Sequence, residues 1–473
     1  MNINFQRLLD KLSPFFCFSK NETVFLKNLS ENCTKTKFDE VLSVLDCEFN
    51  HLYQKLISRT ISKNQERQWC IKYIQFLIDR NQKIPWKELT RLSEKDIVKQ
   101  SDLKLSTRDI GESNIRKLAI LKLNGGLGTS MGCNGPKALI EVKDGKNFLD
   151  IVYLQKEKIE NHFKQPIYLI LMNSFNTDRD TQSWINASDR SRILTFNQEA
   201  YPKLDLTTSG AASLASSNDE WNPPGHGSVY QSLHDTGVLE KLLSEGIEYL
   251  FLSNVDNLGA TINFEILGHL IEQNYPFLIE VAPKTKMDVK GGTVVNRNGK
   301  KCLLERAQVE IDKLSEFEDI KKFNIFNTNS VWINLKQLKI ALQENMILPL
   351  IVNQKECEVK DLIQLEFAMG AAIEYFDKAG VVEVQRDRFL PVKKTSDLLL
   401  MQSDLFELDQ FAIPKKVTNC PLPIINLSDH FSTVSNYQSR FEKMPSLKKC
   451  SSLTINGDYF FTENITLEGD VQL

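Results

Sequence analysis

Five glycines, Gly125, Gly126, Gly128, Gly132 and Gly135, fall within 11 residues and are followed by Pro136 and Lys137. Glycine lacks a Cβ, so such a loop brings backbone N–H groups close to an anion. The lysine that ends it adds a compact positive charge suited to phosphate. The chemistry that these residue types permit is the holding of a nucleotide triphosphate. Two familiar phosphate loops are excluded. The pattern G-x-x-x-x-G-K-[ST] fails because Lys137 follows Pro136 and precedes Ala138, and G-x-G-x-x-G fails because Met131 takes the third glycine's place. Hydride transfer from a dinucleotide is therefore poorly supported.

The elements that must position this loop follow from hydrophobic spacing. The run 118–123 (LAILKL) reads as a buried strand that empties into the glycines. Further apolar strands are predicted at 167–172, 192–196, 249–253 and 276–281, and helices at 148–164 and 231–244. Strands alternating with helices argue for an α/β fold with a mainly parallel central sheet covered on both faces. Ligands in such sheets sit beyond the carboxyl ends of the strands. The glycine loop and the turn Asn254, Val255, Asp256 both follow strands and belong at that edge. A helix is predicted over 360–378, ahead of the basic patch that contains Arg386, Arg388, Lys393 and Lys394.

Residues 1–115 read as a helical N-terminal region, with helical spacing over 38–57 and 69–77 and no cluster that suggests chemistry. Residues 116–405 read as the catalytic part. Residues 406–473 form a C-terminal part, in which 453–458 (LTINGD) and 465–470 (ITLEGD) match in form at a period of 12. Short strands at a multiple of six suggest rungs of a β-helix, with a single antiparallel hairpin as the other reading.

The 473 residues carry 58 basic and 61 acidic side chains, a net charge of −3 that gives no global pull toward nucleic acid or anionic membrane. The nine cysteines include no C-x-x-C pair, so neither a zinc site nor a disulfide framework is suggested. Arg7, Asp10 and Lys11 interrupt the apolar residues of the N-terminus, which does not read as a signal peptide. A soluble cytoplasmic protein is the expectation.

The segment LNGGLGTSMGCNGPK resembles the nucleotide loop of the eukaryotic-type UTP–glucose-1-phosphate uridylyltransferases (UDP-glucose pyrophosphorylases). Segments similar to the family's follow in its order: LMNSFNTDRDT at 171–181, FNQ at 196–198, NPPGHGSVY at 222–230 and FLSNVDNLGAT at 251–261. VKGGT at 289–293, FNTNSVWINL at 326–335 and RFLPVKKTSDLLLMQSDLF at 388–406 continue the series. The resemblance implies a nucleotidyltransferase fold with a Rossmann-like sheet and a short left-handed β-helix. It implies attack of glucose 1-phosphate on the α-phosphorus of UTP, with Mg²⁺ as cofactor. It also implies roles. Leu123, Asn124, Gly125 and Gly126 hold the nucleotide through backbone groups, Lys137 neutralises the triphosphate, and Gln198 reads uracil with an amide that both donates and accepts. Gly225 allows close approach to the base, His226 lies near the sugar phosphate, and Asn254 supports the nucleotide. Asp256 suits Mg²⁺, which takes oxygen ligands and shares its shell with phosphates. Lys393 is the second catalytic lysine and also binds the nucleotide, and Gly292, Glu305 and Asn329 are candidates for the glucose hydroxyls.

Ser228, Glu199, Phe367 and Arg306 depart from the family's pattern. They are expected on the sugar side, where they bear on the sugar's identity and on turnover. A uridylyltransferase for another sugar 1-phosphate is thus one alternative. A catalytically inactive nucleotide-sugar-binding regulator is the other, though Lys137, Asp256 and Lys393 are all retained. The chain stops early in the family's β-helix, so a monomer or an altered oligomer is expected.

Overall fold

The computed structural model describes residues 3–59, 62–79, 83–133, 135–214, 216–286, 288–355 and 361–473. Four helices come first: α1 (Ile3–Leu12), α2 (Lys20–Glu31), α3 (Lys35–Ile57) and α4 (Lys63–Asp79). Ser19 starts α2 with a reciprocal capping box to Glu22, and Thr34 caps α3 by accepting from Lys37 N–H. Helix α3 buries Phe38, Val41, Leu42, Leu45, Phe49, Leu52 and Leu56, one stripe at helical spacing. Helix α4 is buried on nearly every side, with Trp69, Tyr73 and Phe76 in its core. It is therefore covered by more than its neighbouring helices, and Tyr73 donates its hydroxyl hydrogen to Ser209 O at 2.8 Å.

The central sheet has eight strands: β1 (Val98–Lys99), β2 (Leu118–Leu123), β3 (Tyr168–Asn173), β4 (Ile193–Asn197), β5 (Tyr249–Asn254), β6 (Phe277–Pro283), β7 (Ile325–Asn334) and β8 (Gly380–Glu383). Their order is β1-β8-β6-β7-β5-β2-β3-β4. Strand β7 runs antiparallel to both neighbours, and every other pair is parallel. The sheet is mixed by that one strand. Strand β2 shows why its sequence is a continuous apolar run. Ala119, Leu121 and Leu123 join the core shared with the N-terminal helices, while Leu118 and Ile120 join the core on the opposite face. Each leucine or isoleucine fully buried in this way contributes about 1.5–3 kcal/mol.

Three expectations are corrected. The helix predicted over 360–378 is absent from the described residues 361–378; Lys360 lies outside them. The chain forms a strand, Leu362–Glu366, paired with Ile351–Lys355 and Leu204–Asp205, and then a 3-10 turn, Met369–Glu374. Backbone pairing, with the neighbouring Ile351–Lys355 and the distant Leu204–Asp205, overrides the local helical spacing. The helix predicted over 231–244 is two, Val229–Asp235 and Val238–Ser244, broken at Gly237, whose φ is +76°. In the C-terminal part β9 (Ile424–Leu427), β10 (Ser446–Ile455) and β11 (Thr466–Gln472) pair in parallel, so the hairpin reading is excluded. The 12-residue match does not set that pairing, because Leu453 lies beside Val471 rather than Ile465. Irregularities within the β10–β11 ladder shift its register.

Candidate active site

Strands β2 and β5 end flush, with Leu123 paired to Asn254, so the glycine loop and the Asp256 turn leave the sheet side by side. Val255 N–H donates to Leu123 O at 3.3 Å across that edge. Asn124 is spent on the framework: its N–H donates to Met172 O, and its amide donates to Asn173 Oδ1 at 2.8 Å and Thr181 Oγ1 at 2.9 Å. Gly125 follows, with its carbonyl accepting from Ser174 Oγ. A Cβ on Gly125 would stand 2.0 Å from Gln198 Nε2, whereas one on Gly126 would meet nothing within 4 Å. Gln198 leaves the end of β4, its N–H held by Asn173 O at 2.8 Å. The loop thus places the predicted base reader directly against its first glycine. It then folds back, and Lys137 N–H donates to Gly126 O at 3.2 Å. Asn134, within the loop, lies outside the described residues.

Asp256 is buried, and its Oδ2 accepts from Lys137 Nζ and, at 3.0 Å, from Lys393 Nζ. Its Oδ1 is buried with no partner. Burial pushes the carboxyl up, but the positive charges of Lys393 and Lys137 outweigh it, and the net shift is downward. Asp256 is therefore a carboxylate at neutral pH. Lys393 reaches it because Asn257 pins the incoming chain: its amide donates to Arg388 O at 3.1 Å and accepts from Leu390 N–H at 2.9 Å. Val392 N–H then donates to Asp256 O. Arg388 is itself fixed by a buried two-bond pair with Glu280, at 2.6 and 2.9 Å. Asp397 accepts from the N–H groups of Lys393 and Lys394 and starts the helix Thr395–Gln402. Lys137 is nearly buried, whereas the Lys393 side chain is 54% exposed.

His226 stands in a turn held by hydrogen bonds to Phe367 and Met369. Phe367 N–H donates to Pro224 O, and Gly227 N–H donates to Phe367 O at 2.8 Å. Gly225 has φ +80°, and a Cβ there would meet Phe367 O at 2.7 Å. Met369 N–H donates to His226 Nδ1 at 2.9 Å, which leaves the proton of the neutral ring on Nε2. Burial, and then the charge of Lys393, lower the ring's pKa to about 4. At neutral pH His226 is an uncharged donor.

A second group gathers at β7. The β6–β7 ladder slips between Glu280 and Val281, and Asn329 sits in that irregularity with φ +55°. Its side chain accepts from Asn327 Nδ2, while Asn327 N–H donates to Gly292 O. A Cβ on Gly292 would meet the Glu305 carboxylate at 2.6 Å. Burial raises Glu305 to about 7. Gly292, Glu305 and Asn329 thus form one polar cluster, with Asn327 as a member the sequence reading missed. Asn257, Glu280 and Arg388 were missed as well. The available signals were Glu280, a lone charge in the apolar run PFLIEV, and the places of Asn257 and Arg388 within the segments 251–261 and 388–406.

The departures fall in two places, Arg306 directly after Glu305 and the other three beside the His226 turn. Arg306 is exposed and paired with Glu318 at 2.9 Å. Glu199, Ser228 and Phe367 are buried together around a cavity of about 20 Å³ beside the His226 turn.

An α/β sheet that delivers a glycine loop and two lysines onto one carboxylate defines a nucleotidyltransferase. A sequence model of the family described as UTP–glucose-1-phosphate uridylyltransferase matches residues 67–468. The enzyme of that name from Musa acuminata is 43% identical over 426 residues, 87% of this chain and 90% of its own. That from Saccharomyces cerevisiae is 40% identical over 426 residues, 88% of this chain and 85% of its own. The solved structure of UDP-glucose phosphorylase from Trypanosoma brucei is similar at a TM-score of 0.80 and 32% identity, over 89% of this chain and 94% of that one. A Leishmania major UDP-glucose pyrophosphorylase in complex with UDP-glucose is similar at 0.79 and 30%, over 89% and 94%. The chain belongs to the UTP–glucose-1-phosphate uridylyltransferase family. Its reaction joins UTP and glucose 1-phosphate to give UDP-glucose and pyrophosphate.

Proposed function

We propose that the chain catalyses this reaction by direct in-line displacement, and that the two lysines on Asp256 mark the place of the UTP phosphates. The observation that carries this is the shared Oδ2: Lys137 and Lys393, from opposite ends of the chain's catalytic part, converge on one point. A phosphate oxygen of glucose 1-phosphate forms the new bond to the α-phosphorus. The bond from that phosphorus to the bridging oxygen breaks, and pyrophosphate leaves with the electron pair. No side-chain nucleophile and no proton transfer are needed, so positioning and charge neutralisation supply the catalysis. Lys137 steadies the triphosphate, and the exposed Lys393 follows the charge that builds up in the transition state. Gln198 reads the uracil edge, Gly125, Gly126 and Gly225 admit the nucleotide, and Leu123, Asn124 and Asn254 shape its floor. His226 donates from Nε2 to the sugar phosphate. Gly292, Glu305 and Asn329 take the glucose hydroxyls.

Asp256 Oδ1, buried and unpartnered, fits a hard cation. Among the described residues no cluster of three or more His, Cys, Asp or Glu could hold a metal by itself. That donor set suits Mg²⁺, which completes its shell with phosphate oxygens and water. When bound, Mg²⁺ neutralises phosphate charge and polarises the phosphoryl oxygens.

Beyond the site, we read residues 1–115, 116–405 and 406–473 as helical, catalytic and C-terminal parts. The parallel β9–β11 stack supports reading the last as a short β-helix. No helix among the described residues is long and apolar enough to cross a membrane. We place the protein in the cytoplasm.

Turnover of one diastereomer of UTP carrying sulfur on the α-phosphorus tests the mechanism. A single displacement inverts the configuration at phosphorus in the UDP-glucose analogue. Retention would require a uridylyl-enzyme intermediate and would overturn the reading.

A further inference from the structure

The cavity beside the His226 turn joins residues that the reaction does not use. Lys72 of α4 places its ammonium 3.4 Å from the centroid of the Phe367 ring. Glu199, which directly follows Gln198, accepts from Tyr201 Oη at 2.7 Å through Oε2, while its Oε1 is buried without a partner. Lys72, Glu199, Tyr201, Ser228 and Phe367 all line the same 20 Å³ space. That volume admits one water and no sugar. Three of the four departures from the family's pattern thus surround a space too small for a sugar, and they share it with the half-buried Lys72 ammonium.

We propose that Lys72 is a positioning residue for the nucleotide site: its ammonium, balanced by the Glu199 carboxylate, holds Phe367 against the turn that carries Gly225 and His226. Three contacts transmit its effect. The Phe367 backbone bonds to both Pro224 and Gly227. Met369, two residues on, bonds to the His226 ring. On the other side Glu199 is one peptide from Gln198, whose amide abuts Gly125. Lys72 and Glu199 line one cavity and act on each other across it through their charges, so the two side chains are expected to act as one unit. Burial lowers the Lys72 pKa and raises that of Glu199, and each charge opposes the other's shift. The pair couples the N-terminal helices to the base and sugar-phosphate contacts. It leaves the glucose cluster at Gly292 and Glu305 alone.

The proposal rests on the roles given above to Gln198 and His226. It is tested by a double-mutant cycle on the full chain, with UTP varied at saturating glucose 1-phosphate and Mg²⁺. Lys72→Met keeps the stem and removes the charge, and should raise KM for UTP about tenfold with a smaller fall in kcat. Adding Glu199→Gln should return KM to within about threefold of the parent, because neither charge is then left alone. Lys72→Arg should keep KM near the parent's. A purely structural role lowers the folded fraction, and so kcat, without moving KM. An unchanged KM in Lys72→Met, or a double variant whose KM is the product of the two singles, overturns the proposal. If Lys72→Met does not fold, Phe367→Leu, which removes the ring and keeps both charges, must raise KM at least about threefold, and an unchanged KM there overturns it equally. Gln198→Ala separates the two levels: if it leaves KM for UTP unchanged, the base-reader role fails first, whatever the cycle shows.

Discussion

Two adjacent glycines offer a controlled perturbation. Gly125→Ala puts a methyl carbon 2.0 Å from Gln198 Nε2, while Gly126→Ala puts one where no atom lies within 4 Å. Neither glycine has a positive φ, so alanine strains neither backbone. The first methyl must displace the Gln198 amide by more than an ångström to reach ordinary contact. Gln198 has little room to yield, being buried and tied through its N–H to Asn173 O. If the amide makes two hydrogen bonds to uracil, each contributing about 0.5–1.5 kcal/mol net, their loss costs about 1–3 kcal/mol. That corresponds to a rise of about 5- to 150-fold in KM for UTP. Lys137, Asp256 and Lys393 are untouched, so kcat should change by less than about threefold. Gly126→Ala meets no protein atom, so it can act only by crowding the nucleotide and should raise KM for UTP less than Gly125→Ala does. The assay is steady-state pyrophosphate release with UTP varied at saturating glucose 1-phosphate. Equal effects of the two substitutions would refute the reasoning. So would a Gly125→Ala variant whose loss falls wholly in kcat, because the methyl would then be disturbing the phosphates and not the base.

The lysines and Glu305 give two more expectations. Lys393→Ala should lower kcat by about 10²–10³ while UTP affinity, measured by equilibrium binding, changes far less. Collapse of UTP affinity at constant kcat would reverse the roles. Glu305 is raised from 4.5 to about 7 by burial, so the folded chain keeps a proton that the unfolded chain releases between those values. Its contribution is therefore most favourable below about pH 4.5 and is lost as pH rises through 7, a cost of roughly 3 kcal/mol. In urea unfolding, Glu305→Gln should be more stable than the parent at pH 8 and equal to it at pH 4. Equal stability at pH 8 would mean that Glu305 is not desolvated as described.

How much was legible depends on how local the cause is. Strands β2, β3, β5 and β6 show in the sequence because burial on both faces leaves a continuous apolar run, a signal that needs no partner. The direction of β7 does not show, because antiparallel and parallel strands share one pattern. The strand Leu362–Glu366 was misread as helix for a related reason. It pairs with its neighbour Ile351–Lys355 but also with the distant Leu204–Asp205, and Met369 meets His226 from 143 positions away. The same limit applies at the site. Residue type and family pattern single out Lys137, Asp256 and Lys393, but nothing local says that two ammoniums share one oxygen. The departures are the sharpest case. Along the chain, Glu199, Ser228 and Phe367 are three unrelated changes near three motifs, each open to interpretation as altered specificity. In the folded protein they share one wall with Lys72, from a helix whose sequence suggested packing alone. A buried carboxylate, a ring and a cation that enter one cavity together have to be judged together. Their shared place is beside the His226 turn, whose backbone Phe367 bonds at both Pro224 and Gly227.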